Sequence, residues 1–277
     1  MIIWLASYPK SGNTWVRLFL DALLNNDKNL DINNIKIGQF PQKFHFDGLV
    51  EETNNLKETS MNYIAAQDKI NLDNKIKFFK THSANWKAYN TSFTNLENTL
   101  GVIHIVRDPR NIITSVLNHF SKKNYSEAIE FMNNSTQRIW DNRDENEKFL
   151  TLISTWSNHY NSWKKIKKNN LLISYERLLN EPEKEFTKIC NLLGQITDLN
   201  FGKDQILKAI DKCNFGNLQK IEAEKGFVEA VLDKDGNVKK FFNLGPNNNW
   251  KKLLDSKIKL EIEKLFQNEM KDLGYIN

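Results

Sequence analysis

The feature that most constrains the fold is an apolar strand, a tight loop and a helix at the start of the chain. Residues 2–6 form an apolar run typical of a short buried strand, and residues 16–24 have the apolar spacing of a helix. Between them lies Ser-Tyr-Pro-Lys-Ser-Gly-Asn-Thr-Trp, with Gly12 at the turn. The start of a helix presents unpaired backbone N–H groups and the positive end of the helix dipole. The lysine and hydroxyl groups of this loop therefore predict an anion site.

This loop differs from the P-loop of nucleoside-triphosphate enzymes. That motif reads G-x-x-x-x-G-K-[ST], and its Ser or Thr hydroxyl reaches a metal ion. Here Lys10 comes before Gly12, and no earlier glycine shapes the loop. The sequence therefore disfavours a P-loop kinase that uses ATP, and an ordinary strand-to-helix turn is the simplest remaining alternative.

Three more short apolar runs predict further strands of a mostly parallel sheet. They occupy residues 75–80, 101–106 and 171–175 and alternate with helical stretches, as in doubly wound α/β proteins. In such sheets a ligand binds beyond the carboxyl ends of the strands. The polar residues that close the strands are therefore expected to surround the site.

Helical apolar spacing predicts four further helices. They are 111–120, a long amphipathic helix over 149–166, one that opens at Pro182 and stops at Gly194, and a basic terminal helix over 253–273. Two stretches, about 25–73 and 222–249, lack this regularity. We expect both of them, together with the segment 121–148, to act as lids or substrate-binding segments.

The bulk composition narrows the class of protein. A chain of 277 residues can bury a large core, so a single domain over residues 1–277 is predicted. No apolar run is long enough to span a membrane and no signal peptide precedes the first strand, so a cytoplasmic location is expected. The net charge of +5 is modest and the lysines are scattered, which disfavours a nucleic-acid partner. Cys190 and Cys213 lack metal-ligand spacing.

The first loop resembles the 5′-phosphosulfate loop of sulfotransferases that use 3′-phosphoadenosine 5′-phosphosulfate (PAPS). The resemblance extends over residues 7–251, with the family's elements in order. It implies that the loop binds the donor and that Trp15 stacks on the adenine. The implied loop residues are Lys10, Ser11, Gly12, Asn13, Thr14 and Trp15.

The second strand ends in Lys80-Thr81-His82. In the sulfotransferases that it resembles, this element supplies a lysine near the transferred group and a histidine that acts as general base. The residue chemistry agrees, because an imidazole titrates near neutrality and suits proton removal from a hydroxyl. The alternative is a surface histidine after a strand.

The third strand ends in Val-Arg-Asp-Pro-Arg, and Ser115 follows Arg107 by eight positions. This resembles the 3′-phosphate motif of the same family. An arginine fork suits a phosphate, and a serine about two turns into the next helix can lie near the same group. Arg110 is open to another interpretation, as a solvated residue at the start of that helix.

The remaining family elements concern the base and the 3′-phosphate. The resemblance implies that Tyr175 approaches the adenine and that Phe215 packs on the base, while Cys213 replaces a hydroxyl residue. The segment 241–251 resembles the family's basic-Gly element at Phe242 and Gly245, but the basic pair is replaced by Asn243 and Leu244. This departure predicts weaker donor binding or another loop geometry, with Lys239 or Lys240 as candidates to compensate.

Together these observations predict a P-loop-like three-layer α/β sandwich with a central, mostly parallel sheet. The implied activity is transfer of a sulfuryl group from PAPS to a small-molecule hydroxyl (or amine) by in-line displacement, with 3′-phosphoadenosine 5′-phosphate (PAP) as product. His82 acts as general base, and Lys10 and Lys80 stabilise negative charge. No metal is expected. The alternative is a non-catalytic protein that binds a nucleotide or a partner on the same fold; the acceptor and the oligomeric state are not readable.

Overall fold

A five-stranded parallel sheet lies at the centre of the computed structural model, which describes residues 1–25, 30–140, 149–233 and 236–277. The strands of these described residues are numbered β1 to β9. They are β1 Ile2–Ser7, β2 Gly38–Gln39, β3 Lys77–Thr81, β4 Lys87–Ala88, β5 Thr91–Ser92, β6 Thr99–Val106, β7 Arg138–Trp140, β8 Leu150–Leu152 and β9 Asn170–Ser174. The central sheet has the order β2-β3-β1-β6-β9, and two antiparallel pairs, β4-β5 and β7-β8, stand apart.

The helices of the described residues are numbered α1 to α13. They are α1 Asn13–Leu24, α2 Leu56–Met61, α3 Tyr63–Asn71, α4 Pro109–His119, α5 Tyr125–Asn133, α6 Trp156–Lys164, α7 Tyr175–Asn180, α8 Pro182–Ile196, α9 Lys203–Lys212, α10 Phe215–Lys225, α11 Trp250–Leu253, α12 Ser256–Leu265 and α13 Gln267–Asp272. Short 3₁₀ helices occupy Lys43–Phe46 and Gly245–Asn247.

Strand β1 is the centre of the core. It pairs in parallel with β3 on one side and with β6 on the other, and all its residues are buried. Ile3 and Leu5 pack into a cluster that includes the stacked rings of Phe19 and Phe186, 3.9 Å apart. Trp4, on the opposite face, packs among other aromatic rings. Helices therefore cover both faces of the sheet, and burial on both faces explains the unbroken apolar run of this strand.

The four predicted strands of the central sheet are confirmed, with ends shifted by one or two residues. The predicted helix over 149–166 is wrong at its start. Residues 150–152 pair with β7 as strand β8, Ser154 has a φ of +61°, and the Thr155 hydroxyl caps α6. The apolar residues before Thr155 have helical spacing by coincidence, since spacing does not register a strand partner elsewhere in the chain.

Two further helix predictions need correction. The single terminal helix predicted over 253–273 is wrong, because Asp255 caps a new helix and the chain breaks again at Phe266, which yields α11, α12 and α13. Gly194 does not stop α8, which continues to Ile196. A Cβ at Gly194 would lie 3.2 Å from the Asn200 side chain, so the glycine allows a close approach instead.

The predicted lid segments contain some regular structure. The stretch 25–73 holds β2, α2 and α3, and the stretch 222–249 holds the end of α10 and a bridge between Leu232 and Val238. Parts of all three predicted lids, at residues 26–29, 141–148 and 234–235, lie outside the described residues. Their lid role stays a prediction.

Arg110 is not a solvated residue. Its buried side chain connects α4 to α12 and to the segment after α13. Its guanidinium pairs with Asp108 at 2.7 Å and with Glu263 at 2.5 Å, and its side chain is 6% exposed. It also donates a hydrogen bond to the Tyr275 carbonyl at 2.9 Å and lies 3.9 Å from the ring centroid of Trp250. The interpretation of Arg110 as a surface residue is therefore wrong.

Replacement of Arg110 by methionine should lower the free energy of unfolding by about 3–5 kcal/mol, because it leaves Asp108 buried without its partner. Lys259→Met is the matched control. The Lys259 ammonium also faces Glu263, but at the longer distance of 3.8 Å and with its side chain partly exposed, so the pair is weak. The control should cost less than about 1 kcal/mol. Urea unfolding followed by circular dichroism measures both, and equal losses would contradict the role given to Arg110.

Candidate active site

A cavity of about 860 Å³ opens beyond the carboxyl ends of β1, β3 and β6. It is lined by all but one of the residues that the sequence marks for chemistry or donor binding; Ser11 alone is absent from its wall. The predicted residues that line it are Lys10, Gly12, Asn13, Thr14, Trp15, Lys80, His82, Arg107, Ser115, Tyr175, Cys213, Phe215, Phe242, Asn243 and Gly245. The parallel sheet therefore brings together residues that are more than 230 positions apart in the chain.

The loop after β1 depends on backbone conformations that place helix α1 against Tyr175. Lys10 has a φ of +67° and Gly12 a φ of +98°. A Cβ at Gly12 would lie 2.5 Å from the Tyr175 ring, so only glycine fits here. The Asn13 amide donates to the Leu5 carbonyl at 2.8 Å and to the Ser7 hydroxyl at 3.1 Å. The Asn13 side chain thus holds the loop to β1.

Lys10 lies in the cavity wall beside an aromatic ring and an imidazole. Its ammonium lies 4.1 Å from the ring centroid of Phe241 and 3.4 Å from Nδ1 of His119. Removal from water lowers the pKa of Lys10 to about 7, and the cations of Arg107 and Lys80 act in the same direction against the carboxylate of Glu229. A bound anion would reverse this effect, because it stabilises the protonated form.

His82 is held in one tautomer by the backbone of β1. Its Nδ1 lies 2.8 Å from the Ser7 carbonyl oxygen and 3.3 Å from the Ser7 hydroxyl. A carbonyl oxygen can only accept, so Nδ1 carries the proton and Nε2 has a free lone pair. Burial, followed by the cation of Lys80, lowers the pKa of His82 to about 3. The ring is therefore neutral near pH 7, and its Nε2 carries no proton.

Arg107, which follows β6, contacts both the loop after β1 and Tyr175 at the end of β9. Its Nη1 donates to the Lys10 carbonyl at 2.9 Å, and its guanidinium stacks 4.1 Å from the ring centroid of Tyr175. Its Nε is buried and has no hydrogen-bond partner among the described residues. A buried charged donor without a partner is costly, so this atom fits an anionic ligand.

Asn248 is a functional candidate that sequence reasoning missed. Its side-chain amide donates to the Ser115 hydroxyl at 3.1 Å and accepts from the Thr114 hydroxyl at 2.7 Å. It thereby connects the 3₁₀ helix at 245–247 to α4. Nothing in the asparagine-rich run 247–249 marks this position, because its role depends on α4, more than 130 residues earlier.

The element that lacks the family's basic pair is open to solvent at Asn243 and Leu244. The Asn243 carbonyl accepts a hydrogen bond from Gln219 at 3.3 Å. Lys239 and Lys240 both line the cavity, and the Lys239 ammonium donates to the Asn118 carbonyl at 2.8 Å. Gly245 has a φ of +48° and lies against the Phe215 ring, where a Cβ would collide.

Cys213 is not a reactive group. The side chain is fully buried, and burial raises the pKa of its thiol to about 12. A thiol that stays protonated is a poor nucleophile and a poor metal ligand. Cys213 therefore contributes to the cavity wall by packing.

Arg17 and Glu229 form a second missed pair in the cavity wall. Arg17 Nη1 lies 2.5 Å from Oε1 of Glu229, and the Thr14 hydroxyl donates to Oε2 at 3.1 Å. Burial favours the protonated carboxyl, but the cations of Lys80 and Arg17 hold the pKa of Glu229 well below its usual range. No local motif around Glu229 signals this contact, which spans more than 200 residues.

The fold is that of a sulfotransferase domain. The family model for the sulfotransferase domain matches residues 2–274, and the chain belongs to that family. It is a PAPS-dependent sulfotransferase, with PAPS as sulfuryl donor, as the sequence predicts.

Curated relatives cover nearly the whole chain at low identity. Cytosolic sulfotransferase 16 of Arabidopsis thaliana is 22% identical over 280 residues, which are 98% of this chain and 76% of that protein. Sulfotransferase 2A1 of Homo sapiens is 24% identical over 279 residues, which are 96% of this chain and 83% of that protein.

Solved structures share the P-loop-like α/β fold. Mouse sulfotransferase SULT7A1 in complex with PAP superposes with a TM-score of 0.60 at 17% identity, covering 99% of this chain and 85% of that one. Retinol dehydratase in complex with androsterone and the inactive cofactor PAP gives a TM-score of 0.62 at 15% identity, covering 98% and 81%. The predicted fold class is thereby confirmed.

The cavity fits such a donor. It combines the cations of Lys10, Lys80 and Arg107 with the buried, unpartnered Nε of Arg107. Within the described part of the chain, no three His, Cys, Asp or Glu side chains are grouped as metal ligands, and the lack of a metal requirement stays a prediction. No helix in the same described ranges has the length and apolarity needed to cross a bilayer.

Binding of PAP should take up a proton at about pH 8, because Lys10 is largely neutral in the free protein and charged beside a bound anion. The affinity should fall as the pH rises above about 7, the free pKa of Lys10. Calorimetric titration in two buffers of different ionisation enthalpy measures the uptake. Lys10→Met should abolish it and Lys239→Met should retain it; equal enthalpies in both buffers for the unmodified protein would contradict the pKa assigned to Lys10.

Proposed function

We propose that this sulfotransferase transfers the sulfuryl group to an acceptor hydroxyl with His82 as general base. The observation that carries the proposal is the contact between His82 Nδ1 and the Ser7 carbonyl at 2.8 Å. This contact leaves Nε2 without a proton and therefore available as the proton acceptor. His82 also lines the cavity that holds the three cations.

Charge stabilisation is the proposed role of Lys10 and Lys80. PAPS supplies an activated sulfuryl group when it is bound. Lys80 lies close enough to Lys10 to lower the pKa of Lys10, so the two side chains act on the same part of the cavity. Preorganised charge of this kind stabilises developing negative charge without reorganisation during the reaction.

Recognition of the nucleotide is proposed for the residues at the strand ends. Arg107 and Ser115 would hold the 3′-phosphate, and the loop of Lys10 to Trp15 the 5′ side. The unpartnered Arg107 Nε and the Asn248 amide beside Ser115 support this division. Tyr175 and Phe215 would contribute ring surfaces toward the base, since both line the same cavity.

The acceptor is proposed to be a small molecule with a hydroxyl group. Apolar side chains, including Phe120, Ile139 and Trp140, line part of the cavity. Solved structures of retinol dehydratase contain bound androsterone or retinol, so proteins with this fold can bind apolar alcohols. We further propose one domain with lid segments near 25–73, 121–148 and 222–249. The proposed location is cytosolic, as the name of the Arabidopsis thaliana relative states for that protein.

His82→Ala should lower turnover by at least about 100-fold, because it removes the proton acceptor. The affinity for PAP should change little. The ring is neutral near pH 7 and bonds to Ser7, so its loss removes no positive charge from the site and frees no cationic side chain. A panel of phenols and aliphatic alcohols with sulfur-labelled PAPS measures turnover, and calorimetry measures PAP binding. Ser7→Ala is the control, because the carbonyl that orients the ring remains. Joint loss of PAP binding and turnover in His82→Ala would show a structural role instead.

Arg107→Ala should weaken PAP binding by about 10–150-fold, the effect of losing a charged hydrogen bond worth about 1.5–3 kcal/mol. AMP, which lacks the 3′-phosphate, should lose much less affinity. Calorimetric titration with PAP, AMP and ATP gives the comparison. Equal weakening for PAP and AMP would mean that Arg107 only supports the Lys10 loop through its bond to the Lys10 carbonyl.

A further inference from the structure

The carboxylate of Glu229 lines the cavity that is proposed to bind the anionic donor. Glu229 belongs to a short segment, residues 226–231, that we call the Glu229 loop. Phe227 and Ala230 of this loop are buried in the core, and the Val228 N–H donates to the Asn33 side chain at 2.8 Å. These anchors present the Glu229 carboxylate to α1, where it meets Thr14 and Arg17.

The contact with Thr14 conflicts with donor binding. A threonine hydroxyl has one proton to donate. In this structure that proton is directed to Oε2 of Glu229 at 3.1 Å, and a carboxylate can only accept. Thr14 cannot donate the same proton to a phosphate oxygen. Its bond to Glu229 and its predicted bond to the donor are therefore mutually exclusive.

The charge of Glu229 also opposes donor binding through the cations around it. Glu229 pairs with Arg17 at 2.5 Å and lies in the field of Lys80 and Lys10. Its negative charge thus offsets cations that would otherwise act on a bound anion. Arg17 is also fixed to the Ile37 carbonyl at 3.1 Å, so it can retain the carboxylate nearby when the Thr14 bond breaks.

We propose that Glu229 is a built-in competitor of the donor: its carboxylate occupies the Thr14 hydroxyl in the free protein and is displaced from it when the nucleotide binds. The inference rests on the proposed donor role of the Thr14 loop. Glu229 lowers the affinity for PAPS and for PAP alike. It re-forms its bond to Thr14 as the product leaves, which favours release.

The test is calorimetric titration of PAP into the unmodified protein and into Glu229→Gln. The variant should bind PAP about tenfold more tightly, because the Thr14 bond that has to be broken is then a neutral bond to an amide oxygen and not a charge-assisted bond to a carboxylate. Glu222→Gln is the matched control. Glu222 acts on Lys10 from the same part of the chain, but bonds to the Phe241 and Phe242 N–H groups instead of Thr14. It should change the affinity far less.

Hydrogen exchange of the unmodified protein gives a second measurement that does not depend on how the variant folds. Bound PAP should speed amide exchange in the Glu229 loop, because the loop loses its bond to Thr14. Slower exchange there, or equal or weaker PAP binding by a folded Glu229→Gln while the unmodified protein binds, would overturn this inference alone. Binding of PAP by neither protein would overturn it together with the proposed donor site.

Discussion

Parallel pairing of β1 between β3 and β6 is the constraint on which the rest of the structure depends. It aligns Ile3 with Phe78 and Gly101, and so sets the carboxyl ends of three strands at one edge. The loop after β1, His82 after β3 and Arg107 after β6 meet there. The Ser7 carbonyl at the end of β1 orients the His82 ring. The strand pairing thus places the general base candidate and also sets its tautomer.

The cavity that results brings basic side chains together at the strand ends. Lys10, Lys80 and Arg107 line it, and removal from water already lowers the pKa of Lys10 to about 7. Such an arrangement is costly without an anion, because charges in a desolvated site need partners. Glu229 supplies part of that compensation in the free protein. Under the proposal for Glu229, affinity for the nucleotide depends on a balance between this internal carboxylate and the ligand's own charge.

Much of the site could be predicted because its signals are local. The order strand, Lys-Ser-Gly loop and helix, the Lys-Thr-His element and the Arg-to-Ser115 spacing each lie within a dozen residues. The errors arose where a distant partner decides the local structure. Residues 150–152 form a strand because β7 offers hydrogen bonds, and Arg110 is buried because it bonds to Glu263 of α12 and to the Tyr275 carbonyl after α13. Apolar spacing carries no information about such partners.

The sequence by itself determined the parallel sheet and the family, and it marked the candidate anion-binding loop and the candidate base. The sheet is readable from short-range apolar pattern, and the family from the resemblance of several short motifs to those of sulfotransferases. Only the tertiary structure decided that Nδ1 of His82 carries the proton, that Asn248 reaches Ser115, and that Glu229 takes the Thr14 hydroxyl. Each of these is a hydrogen bond between residues at least 75 positions apart, and direction and distance in space, not order along the chain, select its partners.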